Sequence, residues 1–88
     1  MGPYLTERLV ILGEECAEVQ QVVAKIQRFG LDVFRVKDPI INNREHLAIE
    51  VGDLIGVIKL LVDAGVLNED ELIRHAEAKI NKKEKWTK

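Results

Sequence analysis

No serine occurs anywhere in this 88-residue chain, and cysteine occurs once. Without serine, and with no cysteine–histidine pairing suggested, serine- and cysteine-based nucleophilic triads are excluded. The single Cys16 cannot close an internal disulfide and fits a reducing compartment. Prolines number two, so little in the chain opposes helix, and 47% hydrophobic against 32% charged residues points to a soluble, helix-rich domain. An excess of either charge is lacking as well. A formal net charge of −2 gives no bulk field to hold a polyanion, so no nucleic-acid polymer is expected as a partner. No apolar run is long enough to cross a bilayer, and no basic-then-apolar leader is seen, so cytoplasmic residence without membrane attachment is expected.

What is present reads as three helices in one domain spanning residues 1–88. Leu5, Leu9, Leu12, Cys16, Val19, Val23 and Ile26 step by four and three, an apolar stripe of helical period from about Tyr4 to Phe29. Pro3 suits the first turn and Gly30 the stop. On this pattern Cys16 is a small core residue. Between Leu31 and Ile41 the period breaks, and Asp38-Pro39 opposes helix. Val33, Phe34, Val36, Ile40 and Ile41 are apolar enough to predict a segment packed across the bundle, or a lid. Asn42 with Glu45 forms a capping box at the start of a second helix, which Gly65 closes. Asn68 with Glu71 forms another at the start of a third, shorter helix. The second helix is apolar around most of its circumference between Val51 and Val62, and the third is only thinly apolar. Three such helices leave apolar surface uncovered. The expected fold is therefore an all-α bundle, two long helices and one shorter, that completes its core by oligomerising into a homodimer or homotetramer.

Chemistry concentrates in two acidic pairs. Glu15 and Glu18 are three residues apart, as are Glu50 and Asp53, and that spacing stacks both members of a pair on one helix face. Either pair alone is common on a solvated surface. Here each interrupts a row that is otherwise apolar: Ile11, Glu15, Glu18, Val22 on the first helix, and His46, Glu50, Asp53, Val57, Leu60 on the second. Carboxylates brought together repel by roughly 4 kcal/mol per close pair at an effective dielectric of 20. A cation or bound protons must relieve that repulsion. Oxygen-only donors suit a hard ion, with Mg2+ the best fit and Mn2+ also admissible. The Glu-x-x-His pattern of ferritin-like di-iron sites is absent. His46 reads as a first-turn residue rather than a ligand. Lys25, Arg28, Lys79 and Lys82 are candidates to meet phosphates, although lysines near a helix C-terminus also answer the helix dipole. Lys83, Lys85, Lys88 and Trp86 make a basic tail of unassigned role.

Glu14-Glu15-x-x-Glu18 followed by Glu50-x-x-Asp53 resembles the signature of the MazG-like all-α nucleoside triphosphate pyrophosphohydrolases. Lys25-Ile26-Gln27-Arg28-Phe29-Gly30 and Asn43-x-x-x-Leu47-x-x-Glu50 resemble the short, phage-type branch of that superfamily. The resemblance runs from about Leu9 to Lys82. It implies magnesium-dependent cleavage of a nucleoside triphosphate between its α and β phosphates, giving monophosphate and pyrophosphate. It makes Glu15, Glu18, Glu50 and Asp53 the metal ligands, with Glu14 a supporting carboxylate or the group that orients water. Glu14 and Glu15 are thus the candidate catalytic residues. Lys25, Arg28, Asn43, Lys79 and Lys82 are the candidate substrate-binding residues, and the active form implied is a dimer or tetramer whose sites draw on more than one chain. A phosphoribosyl-ATP pyrophosphatase-like activity and a non-enzymatic helical interaction module are the rival readings.

Overall fold

In the computed structural model, the described residues are 2–34 and 40–86, with side chains described as far as Lys82. They form three helices, α1 (Pro3–Phe29), α2 (Asn43–Asp63) and α3 (Glu69–Trp86), and no strand occurs among them. The class is all-α.

Local chemistry sets each boundary. Pro3 occupies the first turn of α1, where its missing N–H costs nothing. The Gly2 carbonyl accepts from the Thr6 N–H at 3.0 Å and from its hydroxyl at 3.2 Å. Gly30 ends the helix at φ 98°, a conformation open chiefly to glycine, and its N–H donates to the Ile26 carbonyl at 2.8 Å. At the start of α2 the Asn42 side chain accepts from the Glu45 N–H at 2.9 Å. Asn68 does the same for Glu71 at 3.0 Å, opening α3. Gly65, at φ 78°, closes α2: its N–H donates to the Val62 carbonyl while the Val66 N–H reaches back to Leu61, both at 3.0 Å. That pair of bonds is a Schellman closure.

A polar corner joins α1 to α2. Asn43 is 4% exposed, and its Nδ2 donates to the Gly30 carbonyl at 3.0 Å. The Asn43 N–H donates to the Val33 carbonyl and the Arg44 N–H to that of Leu31, at 2.9 and 2.8 Å. Outside these, Arg44 grips the Asp32 carboxylate with Nε at 3.0 Å and Nη2 at 3.3 Å. The Arg44 guanidinium holds the Asp32 carboxyl below its ordinary range. The 31–41 segment was expected to pack across the bundle or to form a lid, and of its described apolar residues Ile41 alone is half-buried. Leu31, Val33, Phe34 and Ile40 are exposed, and Leu31 and Val33 are fastened by their backbone carbonyls. Val36, Asp38 and Pro39 lie outside the described residues.

The extensive helix–helix contact is that of α1 on α2, a hairpin tied at the polar corner. Among the described residues, Val22, Val57 and Leu61 are the buried apolar side chains. This changes which face of α1 counts as core. The acid-interrupted row turns toward α2: Val22 is buried, and Ile11 and Glu15 are half-buried. The apolar stripe is only partly covered, with Leu9 and Val23 exposed. Cys16 is exposed too, not a core residue within one chain. The reason is geometric. A single α2 covers one side of α1, and α3 packs extensively on neither. Between α2 and α3 lies a groove of about 410 Å³ whose apolar walls are Ile55, Ile58, Val62 and Leu72. Beyond it, Ile73 and Ile80 of α3 remain exposed. The resulting body is thin, 41 × 38 × 16 Å.

Candidate metal centre

Because α1 presents its acid-interrupted row to α2, Glu15 meets the acids of the second helix. Glu50 and Asp53 precede Val57 and Leu61 at steps of three, four and four, so the buried pair fixes the direction in which both acids point. Glu15, Glu50 and Asp53 each offer a carboxylate oxygen, and these oxygens lie within 4.8 Å of one another. Glu15 and Glu50 are half-buried and Asp53 is exposed, which makes Asp53 the solvent side of the cluster.

Two further observations bear on the donor set. Oε2 of Glu15 is buried and has no hydrogen-bond partner. An orphaned buried carboxylate oxygen is costly, and a cation is one of few groups that answers it without adding another acceptor. The Glu15 carboxyl is pushed above its ordinary range, first by desolvation and then by the charges of Asp53, Glu50, Glu18 and Glu14. Oxygen donors of this hardness, one of them unpaired, fit a magnesium or manganese ion.

The remaining candidates divide. Glu18 is exposed and stands outside the 4.8 Å group, while remaining close enough for its charge to act on Glu15. Glu14 is exposed on the next position of α1. Lys25 and Arg28 are exposed toward the C-terminal end of α1, where the Arg28 guanidinium lies 5.0 Å from the centre of the Phe29 ring. Lys79 and Lys82 are exposed on α3. Asn43 is buried in the α1–α2 corner, where its amide is engaged by Gly30. Side chains of the basic tail, Lys83, Lys85, Trp86 and Lys88, lie outside the described residues.

One neighbour of the cluster was undervalued by the sequence reading. His46 Nε2 lies 3.6 Å from Oε1 of Glu50, and both side chains are 15% exposed. The signal was available in the i, i+4 spacing, which places a first-turn histidine directly over the next turn's acid.

No described helix is long and apolar enough to cross a membrane. No known protein family, curated protein or solved structure matches the chain.

Proposed function

We propose that this chain is a magnesium-dependent nucleoside triphosphate pyrophosphohydrolase of the MazG-like all-α type, acting as a homodimer or homotetramer. The observation that carries the reading is the convergence of Glu15, Glu50 and Asp53 from two helices within 4.8 Å, with Glu15 Oε2 buried and unpaired. Three acids separated by up to 38 positions in sequence meet at one point, in the motif whose resemblance implies this chemistry.

In this reading Glu15, Glu50 and Asp53 hold the ion, and Glu18 joins from the next turn of α1. A bound magnesium supplies charge neutralisation for the phosphates and a water of lowered pKa. The protein contributes position. Glu14, beside the cluster, orients the attacking water, while Lys25 and Arg28 from α1 and Lys79 and Lys82 from α3 face the phosphate charge. One water is consumed, the α–β anhydride breaks, and monophosphate and pyrophosphate leave. Phosphoryl transfer of this kind needs positioning and electrostatics rather than a protein nucleophile, which agrees with a chain that has no serine. Assembly is supported by the uncovered apolar residues Leu9, Val23, Ile73 and Ile80.

A pyrophosphate-release screen over common and damaged nucleoside triphosphates tests the reading. Release that needs magnesium or manganese and disappears in Asp53→Asn is expected. Release from phosphoribosyl-ATP alone would move the protein to the rival pyrophosphatase class, and no release from any of them favours the interaction module.

A further inference from the structure

His46 is a largely covered polar side chain that the proposed chemistry leaves unused. It sits in the first turn of α2, one turn before Glu50, and is 15% exposed. Its Nε2 faces Glu50 Oε1 at 3.6 Å, while its Nδ1 is buried with no partner. A histidine at a helix start has no reason to bury an unpartnered Nδ1. The cost is accepted here at the one position that looks along the helix onto a cluster carboxylate. At 3.6 Å the pair is in electrostatic contact; closing by about 0.4 Å brings Nε2–H to Oε1 within hydrogen-bond range.

We infer that His46 is a positioning residue for the cation site: its Nε2–H holds Oε1 of Glu50, so that the carboxylate keeps one rotamer and turns its other oxygen toward Glu15 and Asp53. This rests on the metal-centre reading above. Carboxylate ligands are commonly fixed in this way by a donor behind them, and removing that donor typically weakens metal binding by about ten- to a hundredfold. The i, i+4 geometry also explains why the role falls to histidine. A lysine or arginine there would reach past Glu50 to the cluster and compete with the ion. An imidazole is short, rigid and ends at its nearest acid.

The test is Mn2+ binding to the whole protein, followed by electron paramagnetic resonance of the free ion, with melting curves of the metal-free proteins alongside. His46→Ala is expected to weaken Mn2+ binding about ten- to a hundredfold. His46→Gln, whose amide N–H can take the place of Nε2–H, is expected to recover most of it. A purely structural histidine predicts the opposite pattern: both variants lower the metal-free melting temperature and neither changes Mn2+ affinity once folded. That result, or equal weakening by Ala and Gln, overturns the positioning role while leaving the metal centre intact. If the wild-type protein itself binds no Mn2+, the metal centre falls and this inference falls with it.

Discussion

Glu15 is the residue on which the site turns, because it is the one cluster acid with a buried, unpaired oxygen. Its carboxyl is held above the ordinary 4.5 by desolvation first and by neighbouring carboxylates second. A group that binds its proton more tightly when folded stabilises the fold fully below the unfolded pKa. That contribution is lost as pH rises through the folded one. The metal-free melting temperature should therefore fall as pH climbs above 4.5, and Glu15→Gln should flatten this fall. A variant with an unchanged slope would contradict the assignment. Asp53→Asn should abolish turnover and leave the metal-free fold as stable as wild type or more so, since it removes one repelling charge from the cluster. A variant that melts earlier without metal and keeps its activity would sink the idea. These acids were legible in the sequence because a spacing of three on a helix is a local rule. The exposure of Glu18 and the contact of His46 with Glu50 depend on how α1 and α2 face each other, which no single helix specifies.

At the scale of the elements, the hairpin of α1 and α2 depends on a corner made almost wholly of polar contacts. Asn43→Ala removes the buried donor to the Gly30 carbonyl and should cost about 1 kcal/mol in urea unfolding, the net worth of one such hydrogen bond. An Asn43→Ala protein of wild-type stability but lost activity would return Asn43 to the substrate-binding role its motif suggested. Asn68→Ala should cost about 1 kcal/mol by uncapping α3, with no effect on the acidic cluster. Caps and stops were readable beforehand because Asn, Gly and Pro act on their nearest neighbours. The corner was less so. The apolar letters at Leu31, Val33 and Phe34 suggested side-chain packing, whereas backbone carbonyls make the attachment. The core face of α1 was hidden for a related reason. A continuous apolar stripe through Leu9, Cys16 and Val23 looked like the core, but α2 lies against the neighbouring row that carries Val22.

For the whole molecule, that half-covered stripe and the apolar residues of α3 leave a thin body that a second copy can cover. Val23→Lys should block pairing of two copies through this stripe while sparing the α1–α2 contact, since Val23 is exposed in the single chain. Sedimentation should show the variant at 10.0 kDa and the wild type heavier, with a wild-type melting temperature that rises with protein concentration. A fully active wild-type monomer contradicts this architecture. The central claim is that carboxylates gathered from two helices hold an ion for cleavage of an α–β phosphoanhydride, and phosphorus-31 magnetic resonance of the reaction mixture addresses it most directly. With magnesium and a triphosphate that is turned over, the signals should resolve into nucleoside monophosphate and pyrophosphate, and nothing should change when the metal is chelated. Nucleoside diphosphate with inorganic phosphate, or turnover that persists without metal, would contradict the account.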